Sequence, residues 1–338
     1  MKKNKMFSAA LFSENIKRFW PAGFAGFFIY FLSGPFLLLT FIPRYDSGYS
    51  HNVAKTMLLN YNVGYMLMHL VLPVAAAVCV FSYLNRRSSA GLVHSMPFSR
   101  RTLFVTNYIS GLALCVVPLV LTFLLTAVCG SGISTVTAES CLMWLLRSFT
   151  IVIFVYSIAV LACMLSGNGV IATLTGFALN FLAAALIVCL LGYANKFLWG
   201  FSSDDIWVKI SYTNPWMRTF SDSSSGILTA LVYIAVAVVI AVASDVIYHV
   251  RKLERSGDSY VFTWMKTVVG FLFAFVLSTM TGIVLFDDIG VLSYAIGFVA
   301  GYLTGQMISR KTFRIFDRTG LKNLIVFAVI LAVVVAGF

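Results

Sequence analysis

Chemistry needs titratable, nucleophilic or metal-binding side chains at workable spacing, and this 338-residue sequence offers few. None of its four histidines stands in the His-Glu-x-x-His spacing of a zinc hydrolase, and no Gly-x-Ser-x-Gly elbow occurs. The six cysteines, Cys79, Cys115, Cys129, Cys141, Cys163 and Cys189, show no Cys-x-x-Cys pair and mostly sit in apolar runs, where thiols behave as small apolar groups. Cys129 and Cys141 fall near one face, so theirs is the one geometrically conceivable disulfide; the apolar reading is favoured. His69 is the only titratable group well inside an apolar run, and a lone histidine there is read as a buried polar contact between helices. Asp245 lies beside His249 and Arg251 at the end of another run, where Asp245 and Arg251 are expected to form a boundary ion pair. Arg147 is expected at a rim, snorkelling. Asn107, Asn180 and Gln306 complete the polar set. A proton or sodium relay needs carboxylates at depth, and no mid-depth pair is present. Catalytic residues, cofactor-binding residues and metal ligands are therefore not assigned, and the chain is not expected to be an enzyme.

The elements that carry these residues follow from composition. Apolar residues make up 60% of the chain and charged residues 11%, against about 25% charge in an ordinary soluble protein. The expected fold class is an all-α polytopic membrane protein. Nine apolar runs are expected to span: 20–42, 63–84, 102–129, 146–166, 170–192, 227–248, 267–286, 291–308 and 324–338. The fourth and fifth are separated only by Gly167-Asn168-Gly169, a tight-turn signal.

Of 24 Lys and Arg residues, the three-to-one majority falls on the side holding the N-terminus, which places that end in the cytoplasm. The same bias accounts for the net charge of +12, so nucleic acid is not an expected partner and membrane lipids are. No cleaved signal peptide is expected. Phe7, Leu11, Phe12, Ile16 and Phe19 recur at helical spacing among Lys2, Lys3, Lys5, Lys17 and Arg18. Residues 1–19 are therefore read as a cytoplasmic amphipathic helix in the membrane interface, the alternative being a basic tail that merely orients the first span.

Between the second and third spans, basic pairs Arg86-Arg87 and Arg100-Arg101 flank a short apolar-polar stretch stopped by Pro97. One reading is a positively charged loop that sets topology. The other is a turn or two of helix that presents Leu92, His94 and Met96 to a partner.

Here a resemblance enters. The segment Leu92-Val93-His94-Ser95-Met96-Pro97-Phe98-Ser99-Arg100 is similar to the inner loop of type-2 ABC transporter permeases, especially Ytr-like exporters, and the layout over residues 1–250 fits that family. The resemblance implies a six-span core over 20–250, a coupling loop at 85–101 and a re-entrant outer segment at 193–226. The sequence departs from the family pattern in its additional C-terminal spans over 251–338, two or three in number, which some Ytr-like permeases resemble. Leu92, His94, Met96, Pro97, Phe98 and Arg100 would then contact an ABC ATPase subunit. That separate chain would bind ATP and magnesium, because this sequence has no Gly-x-x-x-x-Gly-Lys-[Ser/Thr] loop. A second permease chain, identical or related, would complete the path in the cell membrane. The extracellular domain that follows in some relatives is not expected, the sequence ending at Phe338.

Outside that loop, the segment 193–226 interleaves aromatics with charge, and Trp199, Trp207 and Trp216 are candidate contacts at the outer mouth. A belt anchoring helix ends at the headgroups is the alternative. Gly297, Gly301 and Gly305 repeat every four residues and share a helix face, which permits close helix packing, within the chain or with a second copy. Arg310 to Arg318 mixes cations and aromatics, as an inner-leaflet anchor or a second ATPase contact. The functional expectation is an exporter permease subunit. A stand-alone secondary transporter or channel is the alternative, and it predicts deep carboxylates or inverted repeats.

Overall fold

The computed structural model describes residues 6–41, 54, 58, 62–131, 136–201, 206–220, 226–310 and 318–336. Twelve helices carry the argument below: α1 Ala9–Ser33, α2 Pro35–Phe41, α3 Val63–Val80, α4 Arg87–Ser95, α5 Arg100–Cys129, α6 Ala138–Leu165, α7 Gly169–Phe197, α8 Ile206–Ser211, α9 Ile227–Val250, α10 Thr263–Ile289, α11 Leu292–Arg310 and α12 Arg318–Ala336. Short 3-10 turns lie at Ser82–Asn85, Met217–Phe220 and Leu253–Arg255. The described residues contain no sheet, only an isolated bridge between Ser166 and Tyr260. Among the described residues, seven stretches are long and apolar enough to cross a bilayer: Ala9–Thr40, Val63–Val80, Arg100–Cys129, Ala138–Leu165, Gly169–Phe197, Ile227–Val250 and Thr263–Ile289. The protein is a polytopic, all-α membrane protein.

Local signals start these helices where the sequence offers a cap. Asn62 accepts from the Gly64 amide at 2.9 Å, Ser99 from Thr102 at 3.1 Å and Asn168 from Val170 at 2.9 Å. Thr137 and Ser140 form a reciprocal capping box at the start of α6. Each satisfies amides that the first helical turn leaves without an intrahelical partner. Pro21, Pro73 and Pro118 lie inside spans, where neighbouring helices and side chains satisfy the freed backbone groups.

Helix α6 is the axis of the bundle. Of its most apolar window 83% is buried, against 17% for α9; a helix apolar all round belongs inside. It packs on α3, α5, α7 and α9, while α1 packs on α3 and α5. The main core joins Tyr30, Leu72, Cys115, Leu119, Val152 and Tyr156. A smaller cluster joins Ala274, Phe298, Tyr302 and Phe327 of α10, α11 and α12. The α10–α11 hairpin reaches the rest of the bundle through α7. There Lys196 donates to Asp287 at 3.0 Å and to the Ile283 carbonyl at 2.9 Å.

Several expectations are corrected. No helix break separates residues 9–19 from the first span: α1 runs unbroken from Ala9 to Ser33. At about 1.5 Å per residue its 25 residues exceed the ~30 Å of hydrocarbon, so the amphipathic start and the span are one rod. The fourth span begins at Ala138 rather than 146, so Arg147 lies within the helix and not at its first residues. The second ends at Val80, and a 3-10 turn takes the chain to Asn85. The eighth and ninth expected spans are the 19-residue helices α11 and α12, outside the group of seven. All six cysteines are free, Cys129 and Cys141 included.

The glycine face is intrachain. A Cβ at Gly301 would meet the Phe273 carbonyl and come within 2.8 Å of the Ala274 Cα; one at Gly297 would meet Thr281 and lie 2.6 Å from the Leu277 carbonyl. At Gly305 it would lie 3.0 Å from the Gly270 Cα. Helix α10 answers with its own buried small residues at the same four-residue spacing: Gly270, Ala274, Ser278 and Gly282.

Candidate functional site

Long-range hydrogen bonds gather where α4 meets the ends of α3, α5, α6 and α9. Helix α4 has two faces. On the inner one, Ala90 is buried, and His94, one turn later, places Nδ1 2.8 Å from the Ala90 carbonyl and Nε2 3.0 Å from the Tyr248 hydroxyl. The Tyr248 hydroxyl also meets that of Tyr83 at 3.1 Å. Asn107 of α5 donates to Tyr83 at 3.4 Å, and Asn15 of α1 donates to Asn107 at 2.7 Å and to Ser110 at 2.9 Å. One hydrogen-bonded path therefore runs from α4 through α9 and α5 to α1.

Beside it lies a buried cation. Arg251, 1% exposed, donates to the carbonyls of Cys163 (2.7 Å), Met164 (3.0 Å) and Leu84 (3.1 Å). Two of these belong to the last turn of α6, whose carbonyls lack intrahelical donors and carry the negative end of the helix dipole. Burial pulls the Arg251 pKa down to about 10, still protonated at neutral pH. This corrects the expected Asp245–Arg251 ion pair: Asp245 instead faces His249 at 3.5 Å on its own helix. Arg100 donates to the His249 carbonyl at 2.8 Å, and Arg87 to that of Ser256 at 3.3 Å. The segment after α9 is stitched to the α6–α7 turn by Gly257 to Gly167 (2.7 Å) and Val261 to Leu165 (3.0 Å) backbone bonds.

The outer face of α4 is open. Leu92 is 63% exposed and Met96 37%; Gly91 has empty space where a Cβ would stand. Pro97 is exposed and Phe98 half-buried. His94 is half-buried and its ring nitrogens bond inward, and Arg100 donates to the end of α9, so within the expected contact set Leu92, Met96 and Pro97 are the most open. Burial lowers the His94 pKa, and the Arg100 and Arg251 cations act the same way, while the bond to the Ala90 carbonyl opposes them.

At the opposite end, the three tryptophans divide. Trp199 and Trp207 are exposed. Trp216 is part-buried: its indole N–H donates to the Met66 carbonyl at 2.8 Å, and its ring meets Phe181 edge-on at 5.5 Å. Asn214 holds this segment in place by donating to the Asn180 carbonyl at 2.9 Å. Trp216 is thus a wedge between α3 and α7, unlike the two exposed tryptophans. Asp204, Asp205, Asp222 and most of the Arg310–Arg318 stretch, together with that stretch's anchor or contact role, lie outside the described residues.

His69 is buried among Tyr30 and Tyr65, with ring centroids 5.3 and 6.2 Å away. Among the described residues no cluster of His, Cys, Asp or Glu could hold a metal ion. The sequence reading missed Tyr83, Tyr248 and Asn15, since tyrosine and asparagine near a membrane surface carry no spacing signal. No family model, curated protein or solved structure matches the chain.

Proposed function

We propose that this chain is a membrane-spanning subunit of an ATP-driven exporter, worked from the cytoplasmic side by a separate ATPase subunit that grips α4. The observation that carries the reading is the division of α4 into two faces. Gly91, Leu92 and Met96 stand open on one, while His94 and Ala90 tie the other to the helices behind it. A push on the open face is passed through stiff contacts to α9, α5 and α1, which suits a rigid-body change between two arrangements. The likeness of residues 92–100 to type-2 ABC permeases supports the partner's identity, and the absence of a phosphate-binding loop in the sequence supports its separateness. A second permease chain would complete the route across the cell membrane, and the basic bias places the N-terminus in the cytoplasm.

The test is co-purification of the tagged chain from its native host. A nucleotide-hydrolysing subunit is expected with the parent and absent with Leu92→Asp, while Trp207→Ala, at the opposite end, keeps it. Retention of the subunit by Leu92→Asp overturns the docking face. Uphill solute accumulation by vesicles holding this chain alone overturns the dependence on a partner.

A further inference from the structure

The path from α4 to α1 has a direction that geometry fixes. A carbonyl oxygen only accepts, so the His94 Nδ1 facing Ala90 carries a hydrogen. In a neutral imidazole Nε2 is then an acceptor, and the Tyr248 hydroxyl must donate to it. The Tyr83 hydroxyl donates to Tyr248 in turn, the Asn107 amide to Tyr83, and the Asn15 amide to Asn107. Each hydroxyl in the chain gives one hydrogen and receives one.

We propose that His94 is a proton-binding site that latches α4: neutral, it closes this one-way chain to α9, α5 and α1, and on taking a proton it releases α4 from the bundle. The proton adds at Nε2, whose lone pair receives the Tyr248 hydrogen, so two donors then face each other. If Tyr248 accepts from the imidazolium and still receives the Tyr83 hydrogen, its own hydrogen has no acceptor. If Tyr83 turns its hydrogen away, it points at the Asn107 amide, which is also a donor. Either way a donor is stranded beside Tyr248, which is 1% exposed, and buried groups without partners are costly.

The charged and titratable groups around the site push the same way. Arg100 of α5 and Arg251 beyond α9 act on His94 as like charges. Tyr83 and Tyr248 are neutral, and Asp245, a carboxylate that acts on Tyr248, faces His249 at 3.5 Å. His94 itself is part-buried, so a proton from solvent can reach it. Release is expected below the ordinary histidine value of about 6.5. The latch concerns the attachment of α4 to its own bundle and stands whether or not an ATPase is the partner.

Hydrogen exchange of the purified full chain, corrected for the intrinsic pH dependence of exchange, reads the latch at residues 87–95. Between about pH 7.5 and about pH 5, where histidine titrates, protection of this segment is expected to fall at least about tenfold while that of α6 is unchanged. His94→Gln, which keeps an acceptor for Tyr248 and does not titrate, is expected to hold its protection at both values. Tyr248→Phe is expected to show the low protection at both, and His249→Gln the parental response. Equal protection of the parent at both pH values overturns the proposal, as does a pH response surviving in His94→Gln. If Tyr248→Phe does not fold, the comparison of parent with His94→Gln decides alone.

Discussion

Replacing Gly301 by Ala tests the close approach of α10 and α11. The added methyl would collide with the Phe273 carbonyl and lie 2.8 Å from the Ala274 Cα and 3.0 Å from the Leu277 Cβ. The first two are backbone atoms of a helix, so no side-chain rotation relieves them; the helices must separate. Overpacking of this kind costs about 1–3 kcal/mol. Separation also strains the Ser278 hydroxyl bond to the Tyr294 carbonyl at 2.8 Å, a bond contributing about 1 kcal/mol. Against this, Ala favours a helix over Gly by about 0.5–1 kcal/mol. The net expectation is a loss of roughly 1–2 kcal/mol. Gly305→Ala, whose methyl meets the Gly270 Cα at 3.0 Å, is expected to lose less. Gly91→Ala provides the control: nothing stands within 4 Å of its Cβ position, so only the helical gain remains. Titration of the full chain with sodium dodecyl sulfate in mixed micelles, followed by circular dichroism, reads the difference. If Gly301→Ala unfolds at the parental midpoint, the two helices do not meet as described and the glycine face is free for a second copy.

Two further outcomes follow from the polar contacts. Arg251→Leu leaves three carbonyls without their donor, each costing about 1–3 kcal/mol when buried; loss of folded protein in fluorescence-detected size exclusion is expected, and Arg251→Lys, lacking the planar fork, rescues it only in part. Asp287→Asn is expected to change stability by about 0–1 kcal/mol, because the Asp287 side chain is 80% exposed. Lys196→Met should cost more in the same detergent titration, since it also removes the bond to the Ile283 carbonyl and the stacking over Phe286 at 5.6 Å.

Spans were legible because hydrocarbon imposes one requirement, length with apolarity, that composition displays directly. The start of the first was not. Lys17 and Arg18 look like a boundary, yet long cationic side chains reach out along a helix without interrupting it, and α1 passes straight through them. The glycine repeat was legible as a close-packing face; its partner was also written in the chain, in Gly270, Ala274, Ser278 and Gly282 at matching intervals. The role of Arg251 was hidden for a different reason. Its acceptors are main-chain carbonyls, which every residue possesses, so no residue type marks them. His94 was singled out, but its bond inward was not legible, because a nine-residue helix can place either face outward and Tyr248, which meets its ring, lies 154 positions away.

The same Arg251 contacts bear on how the protein is made. The ribosome delivers the carbonyls of Cys163 and Met164 long before the guanidinium that occupies them, which follows 88 and 87 residues later. Until then the last turn of the central helix lacks the donor that meets its carbonyls in the finished fold. Truncated nascent chains ending before that arginine should stay accessible to cleavage beside Leu165, and longer ones should not.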